Sequence, residues 1–261
     1  MHFLAIAFLL SACFLAADLI TGFGFFFSKK NTIKVRLFAL TMAFFLILIS
    51  HFQGFRMPVI EKYDAYIKDL SSNLNFKKVV VLSDLHVGEM MTWDGWLNRI
   101  VDEVLFLKPD IIFLVGDLFE KGGRVQELVP IMKRLKSSLG VFAVRGNHDY
   151  PRRNGRDITG EILKGAGIEL LENRWMKVTD GLIVAGVGDL TTIKRKKRDG
   201  SGKMKLSKAL LGREKKTITI LLSHTPWLTE LASKSDVDLM ISGHTHNGQL
   251  WPFNYLVKIF Y

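Results

Sequence analysis

Apolar positions fall into two patterns along this chain. Near the amino terminus, Phe3 to Phe27 and Leu37 to Phe55 are almost continuously apolar, and each is close to the roughly 20 residues that an α-helix needs to cross a bilayer. Both predict transmembrane helices, with a basic loop over residues 28–36 between them. From Pro58 onward the mixture becomes that of a soluble domain of about two hundred residues, long enough for one sizeable core. Its apolar residues gather in short β-branched runs: Val79 to Leu82, Ile111 to Val115, Val141 to Val144, Ile218 to Leu222 and Leu239 to Ile241. Runs of this length bounded by turn residues predict buried strands, and helical patterns between the first three predict repeated βαβ units. Glu61 to Ser72 predicts an amphipathic helix, with Ile60, Tyr63, Ile67 and Leu70 on one face. The organisation expected is a membrane anchor over 1–56, an amphipathic linker over 57–76 and an α/β domain over 77–261.

Composition sharpens the anchor. The chain is basic, with 36 Lys and Arg against 25 Asp and Glu, yet 48% of it is hydrophobic. Lys29, Lys30, Lys34 and Arg36 lie between the apolar stretches, and a short loop this basic stays cytoplasmic under the positive-inside rule. Both termini are then expected outside a multi-pass cell-membrane anchor, with the large domain extracytoplasmic. Asp18 at mid-membrane would cost about 2.5 to 3.5 kcal/mol, so it is expected near a boundary or within helix packing. Met1-His2 offers no positive n-region for a cleaved signal peptide. Leu10-Ser11-Ala12-Cys13 resembles a lipoprotein cleavage box, again without basic residues before it. Cys13 is the single cysteine, which excludes an intramolecular disulfide framework.

The candidate chemistry lies just after the predicted strands. Five of the seven histidines fall in the ordered blocks Asp84-Leu85-His86, Gly116-Asp117, Gly146-Asn147-His148-Asp149, Ser223-His224-Thr225 and Gly243-His244-Thr245-His246. In open α/β sheets, ligands gather beyond the carboxyl ends of strands, and all five blocks sit there. Residues two apart at the end of an extended segment point the same way, which pairs Asp84 with His86 and His244 with His246. Asn147 and His148 are adjacent and should diverge, one toward metal and one toward substrate. Gly116, Gly146 and Gly243 are expected as turn glycines with positive φ, aiming the ligand that follows. Imidazole mixed with carboxylate suits Zn, Fe or Mn, and a carboxylate can bridge two ions. Asp84 and Asp117 against two divalent ions leave a net charge of about +2, which lowers the pKa of a bridging water and attracts a phosphate. A single histidine in such a block is more often a surface or satisfied core residue; five in this order are not.

The order DLH, GD, GNHD, H, GHTH resembles the calcineurin-like metallophosphoesterases over roughly Lys77 to Pro252. The resemblance implies a layered α/β sandwich, two mixed β-sheets packed face to face and flanked by helices. It implies two divalent metal ions (Mn, Fe or Zn): Asp84, His86 and His246 on the first, Asn147, His224 and His244 on the second, and Asp117 bridging. A hydroxide between the ions would attack phosphorus while His148 assists the leaving oxygen. Glu120 matches the acidic position that orients this histidine, and Asp149 is a second candidate for that role; both also read as plain loop solvation. Lys121 stands where the Ser/Thr protein phosphatases carry an arginine, and a lysine cannot clamp a phosphate bidentately. The tail from His246 to Pro252 instead resembles the membrane-associated bacterial branch, whose members continue into further strands, so a carboxyl-terminal truncation is expected.

The implied activity is hydrolysis of a phosphodiester or pyrophosphate, lipid-linked in some members of that branch. The alternatives are a membrane-tethered binding or regulatory protein with a structural metal site, and a nuclease-type phosphodiesterase. Residues 194–213 are expected as a basic loop, opening with Lys194 to Arg198. Near a membrane each such cation contributes ~1 kcal/mol toward anionic lipid. Nucleic acid is the weaker partner because the aromatic interleaving used for base stacking is missing.

Overall fold

The computed structural model describes residues 2–261 apart from 55, 69, 76, 89–93, 121–124, 152–154, 192–197, 247–254, 256 and 258–261. The chain divides into two compact units, Met1–Glu61 and Lys62–Tyr261.

In the first unit, α1 (His2–Thr21) and α2 (Lys29–Gly54) form a hairpin. Gly22, Phe23 and Gly24 all have positive φ and end α1, so Phe25 to Phe27 lie beyond the helix that the apolar stretch predicted. The basic residues assigned to a loop over 28–36 instead form the first turns of α2. Ser28 caps this helix, its hydroxyl accepting from Asn31 N at 3.4 Å, and Ser is a preferred N-cap because it satisfies an orphan amide. Asp18 is paired: Arg36 donates to its Oδ1 from both Nε (3.0 Å) and Nη2 (2.8 Å). By length and composition, Lys29–Gln53 is long and apolar enough to cross a membrane, and Ile6–Thr21 is a shorter apolar helix.

The amphipathic linker helix is not formed. The described residues from Pro58 to Lys68 carry no helix, and the chain turns helical only in a 3-10 turn at Ser72–Leu74. Tyr63 and Tyr66 are 87% and 94% exposed. A helix of about 12 residues is marginal without packing for its apolar face, and this segment has little to pack on.

The second unit is built from two four-stranded sheets. In the first, β1 (Val79–Leu82), β2 (Ile111–Val115), β3 (Val141–Val144) and β4 (Glu169–Leu170) run parallel in that order. In the second, β5 (Arg174–Thr179) pairs antiparallel with β6 (Leu182–Val187), followed by the parallel strands β7 (Ile218–Ser223) and β8 (Leu239–Ile241). Alternation along each strand sends one set of side chains to each face. Ile111, Phe113 and Val115 of β2, with Phe142 and Val144 of β3, meet Leu182, Val184, Ile220 and Leu222 of the other sheet in a shared core. Phe113 and Phe142 are register partners with ring centroids 6.3 Å apart. Helices α3 (Asp94–Phe106), α4 (Val125–Met132) and α5 (Ile158–Ala166) lie between the strands of the first sheet in sequence. On the outer face of the second sheet, Leu206 and Ala209 of α6 (Arg198–Ala209) pack with Ala185, Val187 and Leu221, beside Ala232 of α7 (Thr229–Ser233). This is the layered sandwich that the resemblance implies, with the difference that only the second sheet is mixed, the described strands of the first being all parallel. Strands β4, β5 and β6 are additional to the five predicted, and β6 carries none of the histidine blocks that drew attention to the others.

The basic segment also differs from expectation. Residues 194–197 lie outside the described residues, and much of the remainder is helix α6. Lys205 Nζ donates to the carbonyls of Asp189 (2.6 Å) and Gly188 (3.3 Å). Arg213 donates to the carbonyls of Asp236 and Ser235 and to the Thr219 hydroxyl. Those two cations tie elements together rather than project from a loop, while Lys203 and Lys208 are exposed.

Candidate metal centre

All five motif blocks follow the carboxyl ends of strands β1, β2, β3, β7 and β8. Pairing between the first two continues past the strands: Asp84 N donates to Gly116 O (3.0 Å), His86 N to Asp117 O (3.0 Å) and Val87 N to Leu118 O (2.9 Å). Gly243 N donates to His224 O at 2.9 Å, which draws the last block toward β7. The rims of the two sheets meet where His244 N donates to Asp84 Oδ2 (3.0 Å) and His224 Nδ1 to Val115 O (2.8 Å).

The backbone conformation is not the one expected. Gly116 has φ +82, but Gly146 and Gly243 do not have positive φ. They permit close approach instead. A Cβ on Gly146 would lie 2.1 Å from Asp117 Oδ1, and one on Gly243 would lie 1.9 Å from Ser83 Oγ. Positive φ falls on proposed ligands themselves: Asp84 (55°), His86 (46°), Asp117 (51°), His244 (74°) and His246 (46°). Non-glycine residues in this region are strained, and such strain persists where surrounding contacts over-determine it. It also undoes the period-two argument, which assumes extended backbone. Asp84 and His86 do stay together, but His244 and His246 part.

Asp84, His86 and His246 form one group, and Asp117, His224 and His244 another, the candidate ligand atoms of each lying within 4.8 Å of one another. His86, Asp117 and His148 form a third such group. His246 Nε2 is 3.4 Å and His224 Nε2 4.0 Å from Asp84 Oδ1. His224 Nε2 is 3.2 Å and His86 Nε2 3.7 Å from Asp117 Oδ2. Asp117, 2% exposed, therefore faces histidines of both groups. Its other oxygen accepts from His148 N at 2.8 Å. Asp84 accepts from His244 N and from Ser83 Oγ (2.6 Å).

Three buried atoms in this cluster have no hydrogen-bond partner: His86 Nε2, Asn147 Oδ1 and His224 Nε2. A buried polar atom left unsatisfied costs roughly 1–3 kcal/mol. Three of them beside a buried carboxylate is the arrangement that bound cations complete, so these residues fit the two divalent ions that the motifs imply. The His224 ring is aimed from behind, its Nδ1 donating to Val115 O at 2.8 Å, which leaves Nε2 as the free atom.

Electrostatics agree with that use. Burial holds the imidazoles of His244 and His246 below their ordinary range, keeping them neutral, the form that ligates metal. Burial opposes charge on His224 as well, but the Asp117 carboxylate 3.2 Å from its Nε2 outweighs this and raises it. Asp117 is correspondingly held low: burial raises it, and the adjacent His224 ring and the hydrogen bond from the His148 amide more than compensate.

Glu120 and Asp149 separate clearly. Glu120 Oε1 is 2.9 Å from His148 Nδ1 and 2.7 Å from His86 Nδ1. Asp149 is buried, not solvated, and its oxygens accept from the amides of Leu118 (3.0 Å), Phe119 (3.3 Å) and Gly146 (2.8 Å) and from the Thr159 hydroxyl. It ties the β2 and β3 loops together, and its carboxylate is occupied in doing so. Lys121 and residues 247–252 of the tail lie outside the described residues.

The motifs did not reveal Ser83, the Val115 carbonyl or Asp189. Asp189 follows β6, is 1% exposed, and leaves Oδ1 unpartnered while Oδ2 accepts from Thr191 N. Its signal was available in Gly188-Asp189 after an apolar run, the same pattern as Gly116-Asp117 after β2.

Comparison with known proteins accords with this geometry. The chain is 33% identical over 227 residues to a metallophosphoesterase of Helicobacter pylori strain J99, covering 84% of this chain and 58% of that protein. It is 34% identical over 210 residues to the "Transmembrane protein with metallophosphoesterase domain" of Danio rerio, covering 76% and 47%. It is 30% identical over 195 residues to "Phosphodiesterase YaeI" of Escherichia coli, covering 71% and 65%. The chain thus spans less than two thirds of the length of each. The sequence model of one family, described as calcineurin-like phosphoesterase, matches residues 77–248, the span that holds both sheets and every proposed ligand, and the chain belongs to that family.

Proposed function

We propose that this chain is a membrane-anchored phosphoesterase that hydrolyses a phosphodiester or pyrophosphate with two divalent ions. The observation that carries the reading is the convergence of the unpartnered His86 Nε2 and His224 Nε2, at 3.7 and 3.2 Å, on one oxygen of buried Asp117. Asp84, His86 and His246 hold one ion, Asn147, His224 and His244 the other, and Asp117 serves both. Bound there, the ions supply a water of lowered pKa and neutralise charge on the phosphoryl group. Zn, Fe and Mn all suit this ligand mixture.

The chain's own residues do the rest. His148, acting as an imidazolium, would keep its Nδ1 hydrogen on Glu120 and pass its Nε2 hydrogen to the departing oxygen, ending as the neutral Nδ1–H tautomer. Its backbone amide is fixed by Asp117 Oδ1, so the acid and the ion-binding carboxylate move as one. The name of the Escherichia coli relative favours a phosphodiester, and that of the Danio rerio relative favours a membrane setting. Helices α1 and α2 anchor the protein as a two-span hairpin, with the α/β domain extracytoplasmic and acting near the bilayer, where lipid-linked phosphoesters are within reach. Lys194 to Arg198 add attraction to anionic lipid.

The test is hydrolysis of a chromogenic bis-aryl phosphate by the full chain in detergent with added Mn²⁺. Removing a positioned general acid costs about 10²- to 10⁴-fold in rate, so His148→Ala should lose turnover by that factor. Absence of any turnover that His148→Ala abolishes would leave a metal-holding binding protein as the better reading.

A further inference from the structure

We propose that Glu120 is a positioning residue for the first metal site as well as for His148, one carboxylate oxygen orienting two imidazoles that have different tasks. The inference rests on the two-ion reading above. Oε1 lies 2.7 Å from His86 Nδ1 and 2.9 Å from His148 Nδ1. The two rings are 4.8 Å apart and nearly perpendicular, at 84°, so each turns its Nδ1 edge toward the same oxygen. An ionised carboxylate only accepts, and a neutral imidazole has one donor nitrogen. Glu120 therefore places the hydrogen of His86 on Nδ1 and leaves the Nε2 lone pair free. That Nε2 is the buried, unpartnered atom 3.7 Å from Asp117.

The backbone is arranged to hold the glutamate there. Glu120 N donates to Val87 O at 2.8 Å, next to a bridge between Val87 and Phe119. Across from it, a Cβ on Gly88 would lie 2.3 Å from Glu120 Cβ. Residue 88 thus has room for no side chain while Glu120 occupies this place. In the second group, His224 is oriented by the Val115 carbonyl instead. The two ions accordingly depend on different supports, and only one of them depends on Glu120.

The experiment is titration of the metal-free full chain in detergent with Mn²⁺, following bound ion by calorimetry and free ion by its paramagnetic resonance signal. Outer-shell partners of ligating histidines typically contribute 10- to 100-fold in metal affinity. Glu120→Ala should weaken one of two binding steps by that factor and spare the other. Glu120→Gln, which keeps one acceptor oxygen, should fall between, and it carries the comparison if the alanine variant does not fold. Two wild-type steps in the Glu120 variants, or equal weakening of both steps, would overturn the inference and leave the two-ion reading intact. A wild-type chain that fails to bind two ions would overturn that reading itself.

Discussion

Asp157 shows how single side chains brace the proposed centre from a distance. Its oxygens accept from Arg145 Nη1 and Nη2 at 2.8 and 2.7 Å and from Gly160 N, capping α5. Arg145, almost wholly buried at the end of β3, also donates to Asp149 O, one residue beyond His148. The Arg145 hydrogen bonds hold the Asp157 carboxyl below its ordinary value. A depressed carboxyl stabilises the fold above its unfolded pKa of about 3.9, and this is lost as pH falls through the lower folded value. Asp157→Asn should therefore be less stable than wild type at pH 7, with the gap closing below about pH 4. Thermal melts at pH 7 and pH 3 check this; an equal gap at both would contradict it. At this scale the residues that the structure gathers into clusters were legible, because residue type and spacing mark them. The positive φ at Asp84, His86 and Asp117 was not: Asp and His tolerate that region better than most residues, but it remains uncommon for them and the motif spacing does not mark it.

Among the elements, those with a strong local period were readable. Strands β1, β2, β3 and β8 begin and end where their apolar runs do, and β7 runs one residue further. β5 was hidden because its exposed, mixed sequence has no clear alternation. The segment after Pro58 failed for the opposite reason: its helical pattern was present, but its described residues up to Lys68 form no helix and Tyr63 and Tyr66 stay exposed. The hairpin of α1 and α2 depends on a pairing across 18 residues that no local pattern reveals. If the hairpin lies in a bilayer, an unpaired charge there costs about 2.5 to 3.5 kcal/mol. Asp18→Arg should then reduce the fraction of chain that resists alkaline extraction from membranes, and adding Arg36→Asp should restore it. A double variant no better than the single one would show that the pair does not hold the hairpin.

For the whole molecule, the architecture serves to bring two sheet rims together. β1, β2 and β3 deliver Asp84, His86, Asp117 and Asn147 from one sheet, while β7 and β8 deliver His224, His244 and His246 from the other. The shared core of Phe113, Phe142, Val184 and Leu222 sets the distance between them. Two of the three candidate groups draw their residues from both sheets. Asp117 is the residue on which both groups converge, so it carries the central claim of a two-ion centre. Elemental analysis of the purified, metal-loaded full chain tests this most directly. Two divalent ions per wild-type chain, falling well below two in Asp117→Asn, is the predicted result. Two ions retained in Asp117→Asn would contradict it.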